Sequence, residues 1–414
     1  MSKLGWLRWS LVVMALFGAL LVACGGGSGS KGVGTTNPAK TAGGTSAPPA
    51  ATTPPITVVP GMPALVNQTN LYSETAAGKL ADVVKDDPPR IYVPNHSSND
   101  VAVIDPATMQ VVDRFKVGIN PQHIVPSYDL KTLWVTNNAE GRTDGSLTPI
   151  DPQTGKPGTP IPVDDPYNMY WTPDGKSAIV VAEALKRLDF RDPHTMALQT
   201  SLSTPNCSGI NHADFSIDGT YVIFTCEFSG SLVKIDLVNK QVMGYLPLSG
   251  GGIPQDIRVS PDGKTFYVAE MVRSGVYTID PATFTETGFI PTGPGAHGLY
   301  PSRDAKVLYV ANRGSTKVGG PPKGAGSVSV LDWKTNTVTA NWPVPGGGSP
   351  DMGGVSADGK TLWLSGRYDD AVYAIDTTTG QYTIISMGAG SEPHGLAVWP
   401  QPGRVSLGHT GNMR

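Results

Sequence analysis

Cysteine is scarce in this chain. Only Cys24, Cys207 and Cys226 occur in 414 residues, and none lies in a CxxC or CxxCH motif. That spacing argues against a thiolate metal site and excludes an attached c-type haem. No basic stretch is present and the net charge is −3, so nothing marks a nucleic-acid footprint. Amphipathic helical patterns are few. No apolar run is long enough to read as a membrane span, since LVVMALFGALLVA stops at residue 23. The glycine-rich GGGSP at 346–350 opens no helix, which removes a phosphate-loop reading. No Ser-His-Asp order can be argued.

What is abundant is turn-forming: 50 Gly and 37 Pro. Together with the missing helices, this composition predicts an all-β chain with many turns. The length could hold two domains, but all-β architectures of this size often form one.

Lys3 and Arg8 precede the apolar run, giving the n-region and h-region of a secretory signal over residues 1–23. Leu21-Val22-Ala23-Cys24 resembles a bacterial lipoprotein box, which implies lipidation of Cys24 as the new N-terminus. Removing residues 1–23 deletes two bases and no acid, leaving 29 bases against 34 acids, or −5. Residues 24–60 are rich in Gly, Ser, Thr and Pro and read as a mobile tether. Residues 61–89 form an N-terminal extension, 90–400 the folded body and 401–414 a polar tail expected to be loose. The expected setting is the bacterial cell envelope, at the outer membrane, facing periplasm or surface, with the membrane as partner through Cys24. In an exported chain Cys207 and Cys226 are expected to pair.

The body is repetitive. PQHIVPSYDLKTLWVTNN from 121, PYNMYWTPDGKSAIVVAE from 166, INHADFSIDGTYVIFTCE from 210 and PQDIRVSPDGKTFYVAE from 254 align, as do AHGLYPSRDAKVLYVANR from 296, PDMGGVSADGKTLWLSGR from 350 and PHGLAVWP from 393. The period is about 45 residues, lengthened once by the insertion STKVGGPPKGAG at 315–326. Each unit reads as four strands, the content of a propeller blade. The last unit stops after one strand, and the missing three stand at 90–118. The expected fold is therefore a seven-bladed β-propeller whose last blade is closed by both termini. Closure also removes open sheet edges.

LWVTNN, FYVAE and LYVANR, with VAVIDPAT and SPDGK, resemble the YVTN-type (YncE-like) bacterial propeller repeats. The resemblance covers roughly residues 90–400 and implies the fold. Related propellers include lactonase-like enzymes, the haem-d domain of nitrite reductase and the copper-cluster domain of nitrous oxide reductase. The last is similar in placing histidines at a propeller mouth to hold copper, but its separate copper domain and full histidine set are absent here.

In a propeller the first strand of each blade lines the channel. The residues in the register that opens this strand are His123, Asn168, His212, Asp256, His297, Asp351 and His394, so four of the chain's seven histidines share one position. Second strands return to the same mouth and end at Asn95, Asn137, Glu183, Glu227, Glu270, Asn312 and Arg367, with Arg313 beside them. An inner ring of His and Asp surrounded by Glu, Asn and Arg suits a small polar ligand. His123, His212, Asp256, His297, Asp351 and His394 also suit a copper, zinc or iron ion. The same residues would serve a wet channel by holding water or bonding to backbone. Three functions stay open. One is a lipid-anchored monomer that binds a small polar ligand or transition metal in its funnel. Another is an enzyme, either a lactonase-like hydrolase or a metal-dependent oxidoreductase. The third is a scaffold that binds a protein partner through the loops at 139–146 and 315–326.

Overall fold

The structure, a computed structural model, describes residues 55–409 and 412–414. The signal sequence, Cys24 and most of the tether lie outside the described residues. The seven-bladed propeller read from the repeats is the observed fold. Blade 1 comprises Pro121–Pro126, Leu133–Asn137 and Ser146–Asp151, with an outer edge split into Lys156–Pro157 and Ile161–Pro162. Pro157, Pro160 and Pro162 have no N–H to give, so this edge breaks where only an outermost strand tolerates it. Blade 2 is Pro166–Trp171, Ala178–Ala182, Arg187–Arg191 and Leu198–Ser203. Blade 3 is Ile210–Phe215, Tyr221–Cys226, Ser231–Asp236 and Gln241–Pro247. Blades 4, 5 and 6 start at Pro254–Val259, Ala296–Pro301 and Pro350–Val355 and repeat the pattern. In blade 7, Ala397–Trp399 pairs antiparallel with Arg90–Asn95, aligning Arg90 with Trp399 and Tyr92 with Ala397. Cys207 and Cys226 are disulfide-bonded and tie the approach to blade 3 to the end of its second strand.

Two local devices repeat. A hydroxyl two residues before an Asp shapes the turn between the first and second strands: Ser260 Oγ donates to Asp262 at 2.7 Å and accepts the amides of Lys264 and Thr265. Gly263 takes the left-handed conformation there, with φ +74°. After the third strand an Asp accepts amides two and three residues on, as Asp332 does from Lys334 and Thr335. The inner three strands of each blade are almost wholly buried, while outer strands alternate. Apolar clusters fill the gaps between neighbouring sheets, with Trp171, Trp363 and Trp399 among their largest members.

The tail departs from expectation. It is folded into the channel rather than loose. Leu407 donates its amide to the Asn412 carbonyl at 2.7 Å and Arg414 to Val405 at 2.9 Å, closing a hairpin. The hairpin runs along blade 2, where Trp171 donates to the Leu407 carbonyl and His409 to the Met169 carbonyl. Asn412 Nδ2 reaches the Ala213 carbonyl on blade 3 at 2.9 Å. Arg414 Nη2 lies 2.8 Å from Asp214, and both side chains are buried. The N-terminal extension covers the same end: Tyr72 donates to the Val259 carbonyl and Asp87 accepts from the Trp399 indole, while Val59, in the segment expected to be mobile tether, is held by its amide on the Asp218 carbonyl. Unsatisfied inner-strand groups at the channel floor thus find partners in the two chain ends.

Removing the Arg414 side chain takes from the buried Asp214 the guanidinium that lies 2.8 Å from it. Arg414→Ala is expected to lower unfolding stability by roughly 3 kcal/mol and to speed amide exchange at 405–414. Unchanged stability and exchange would show that the ion pair does not hold the tail.

Candidate functional site

The polar register at the mouth has a backbone cause. In blades 1 to 6 the pairing of first and second strands slips by one residue at this point. Ile210 faces Cys226, whereas Ala213 faces Phe224, so Asn211 and His212 share a bulge. The same irregularity spans His123, Asp256, His297 and Asp351. A bulge re-aims side chains and frees an amide. Hydroxyls on the second strand take up that amide: Thr136 accepts from His123 and Thr225 from His212, each at 3.1 Å. The register is therefore built into the ladder.

The seven register residues do not form one ring. They divide into pairs, a triad and a cluster of imidazoles. Asp256 lies 3.1 Å from Arg258 Nη1 and accepts the amides of Ile257 and Leu299. Asp351 takes both Arg313 Nε and Nη2 at 2.9 Å and accepts from His297 Nδ1 at 2.8 Å. His394 is fixed between Gln122 Oε1 at 2.9 Å and Arg367 Nη1 at 3.2 Å, which assigns the proton to Nδ1. Asn168 uses Oδ1 on its neighbour's amide and points Nδ2 at His212 Nδ1, 3.2 Å away.

What converges is His123, His212 and a residue from the tail, His409. One nitrogen of each lies within 4.8 Å of the others. Ring centroids are 4.6 Å apart for His123–His409, 4.9 Å for His212–His409 and 5.4 Å for His123–His212. All three are fully buried. Both nitrogens of His123 and Nε2 of His212 meet no hydrogen-bonding partner among the described residues. Gly395 makes room for His123, because a Cβ there would stand 1.9 Å from its Nδ1.

The outer positions also divide. Asn137 turns into its blade, donating to the Ser146 carbonyl and Thr148 at 3.0 Å; Asn312 does the same toward Ser327 and Ser329. Asn95 donates to Asp100, and Glu270 accepts the amides of Ile253, Val272 and Arg273. These four brace loops and do not face a common ligand. Glu183, Glu227, Arg313 and Arg367 remain at the mouth. Sequence reasoning passed over Gln122, Asn211 and Gln255, although PQH, INH and PQD repeat visibly before the register residue. It also passed over Tyr167, whose ring sits 5.4 Å from His123. His409 carries no such signal, since it belongs to no repeat.

Burial sets the charge state of this cluster. It lowers His123 to about 3 and His297 to about 4. Burial, reinforced by neighbouring cations and imidazoles, also holds His212, His394 and His409 well below the usual range. For Asp351 burial acts upward, but Arg313 and His297 outweigh it and keep the group ionised. Burial lifts Asp256 to about 6. His96 behaves oppositely. Burial lowers it, yet Glu140 at 2.8 Å and Glu392 at 3.0 Å outweigh burial and raise it.

Five imidazoles neutral in the fold and protonated in the unfolded chain make stability pH-dependent. Their contribution is full above pH ~6.5 and is lost as pH falls toward the folded values near 4 and 3. Each adds up to about 1.4 kcal/mol per pH unit of slope. His96 contributes below its unfolded value and loses that contribution as pH rises through its raised one. The urea midpoint should therefore drop steeply between pH 6.5 and 4, and less steeply in His409→Asn. A midpoint that stays flat over this range contradicts the neutral-cluster assignment.

The family profile described as YNCE-like beta-propeller matches residues 57–402. None of the curated proteins matches. Among solved structures, a putative 6-phosphogluconolactonase from Bacteroides uniformis is 15% identical with a TM-score of 0.58, covering 75% of this chain and 99% of that one. A functionally unknown protein from Desulfotomaculum acetoxidans is 15% identical with a TM-score of 0.59, covering 75% and 98%. A dihydro-heme d1 dehydrogenase is 14% identical with a TM-score of 0.55, covering 77% of each chain. At these identities the likeness is one of fold. With the blade repeats, the closure and the profile match over most of its length, the chain belongs to the YncE-like β-propeller family.

Proposed function

We propose that this chain is an exported, lipid-anchored propeller that binds one transition-metal ion in its throat through His123, His212 and His409. The observation that carries this reading is the convergence of three buried imidazoles from two blades and the tail, one nitrogen of each lying within 4.8 Å of the others. Neutral imidazole suits zinc, copper and iron. Tetrahedral bonds of about 2.0–2.1 Å separate ligand nitrogens by roughly 3.3 Å, so nitrogens within 4.8 Å of one another must draw together by at most about 1.5 Å. Two sit on bulged strands and one on a hairpin, where such an adjustment is small.

Asn168 decides whether His212 can join. With Nδ2 facing His212 Nδ1, the neutral ring carries its proton on Nε2, the nitrogen that meets no partner. Coordination through Nε2 requires the Asn168 amide to turn so that its oxygen accepts from Nδ1. A carboxylate there would favour that tautomer without a turn.

The metal is checked by elemental analysis of untagged protein after exposure to zinc or copper and dialysis. One equivalent is expected. His123→Ala and His409→Ala should each weaken binding at least about 100-fold, and Asn168→Asp should tighten it about tenfold. Absence of stoichiometric metal, or histidine variants that bind like the parent, ends this reading.

The anchored setting is a proposal that rests on residues 1–24. Incorporation of labelled fatty acid into the parent chain but not into Cys24→Ser is the expected result. Equal labelling, or none in either, removes the anchor.

A further inference from the structure

We propose that Glu183 and Glu227 form the access path of a divalent cation that ends on the His123–His212–His409 throat, where Tyr167 packs on the imidazoles. This rests on the metal reading above and adds the route and the sign of the ligand's charge.

The sign follows from which mouth charges are already compensated. The basic side is neutralised internally: Asp351 grips Arg313 through two 2.9 Å bonds, and Arg367 Nε lies 3.0 Å from Glu392. Glu392 and Glu140 in turn flank His96. The acidic side has no such relief. Glu183 follows Ala178–Ala182 in blade 2 and Glu227 follows Tyr221–Cys226 in blade 3, so they leave at the mouth on adjacent blades. Glu227 is buried and held by the neutral amides of Asn211 at 2.7 Å and Gln255 at 2.9 Å. Neither carboxylate has an ion-pair partner among the described residues, and the Glu183 carboxylate accepts no hydrogen bond among them. Burial, followed by the charge of Glu227, pushes Glu183 well above the ordinary carboxylate range. Two carboxylates on adjacent blades with no counter-charge are relieved by a cation, which also displaces the proton that burial favours on Glu183.

An independent observation lies beneath them. His123 is fully buried with both ring nitrogens unpartnered. The Tyr167 ring packs on His123 at 5.4 Å, on His212 at 6.3 Å and on His394 at 6.5 Å. Glu227 reaches the same layer through Asn211, which precedes His212 in the bulge, and Val181, two residues before Glu183, pairs with Asn168, whose amide meets His212. The acidic pair therefore stands on the segments next to those that hold the imidazoles.

Cobalt(II) is the probe, because its visible absorption reports coordination as it forms. In stopped-flow mixing with the untagged mature chain, Glu183→Gln/Glu227→Gln should slow association about tenfold at low ionic strength, with the difference shrinking in 0.5 M NaCl as charge is screened (Debye length below about 5 Å). The spectrum of the histidine-bound ion should persist. Loss of two desolvated charges should leave the melting temperature unchanged or raised, which confirms that the variant is folded. Association as fast as in the parent overturns the path. Loss of the spectrum in a folded variant also overturns it, since the carboxylates would then be ligands. If the parent binds no cobalt, the metal reading fails and the path with it.

Discussion

Ring closure is the constraint on which the rest depends. Pairing of Ala397–Trp399 with Arg90–Asn95 turns seven sheets into a circle, and a seven-membered circle leaves a throat the width of a few side chains. Everything projecting inward must then share that space. The contact is close enough that the inner segments of blades 7 and 1 bond directly, Gly395 donating to the Gln122 carbonyl and Ile124 to that of Gly395. Imidazoles separated by nearly 200 residues, such as His212 and His409, meet at 4.9 Å between ring centres inside the closed ring.

The narrow throat also fixes charge. Burial there takes from five histidines their ordinary basicity and leaves them neutral donors and acceptors. Charges that remain are those with a partner in the same layer: Asp351 with Arg313, Asp256 with Arg258, and Asp214 with Arg414. Buried charge pairs of this kind are weak sources of stability but strong constraints on geometry, since breaking one strands the other. The mouth differs in keeping two carboxylates without a cation. That asymmetry gives the site its polarity, and it arises because the arginines are consumed by nearer acids.

Much of this was legible in the chain itself. Blade strands, Ser-x-Asp turns and the closing blade follow from a period of apolar runs and turn residues, because local hydrogen bonds and side-chain alternation act over a few residues. The register holding His123, His212, His297 and His394 was equally visible as an alignment column. Its chemistry was not. Whether Asn137 faces the funnel or its own blade depends on Ser146 and Thr148 across the sheet, and whether Asp256 is available for a ligand depends on Arg258 two residues away in the same strand. Both are packing outcomes that no column records.

The amino-acid order by itself determined the seven blades, their closure and a ring of polar side chains at one mouth, since each is a matter of periodicity and short-range hydrogen bonding. Only the tertiary structure decided which of those side chains meet. It paired Asp351 with Arg313 and His394 with Arg367, and it brought His409 into the throat from a tail with no repeat and no motif. The reason is that the tail docks through backbone groups and one ion pair, Arg414 with Asp214, whose partners lie roughly 200 residues upstream. Contacts across that span are set by the closed ring and by nothing local.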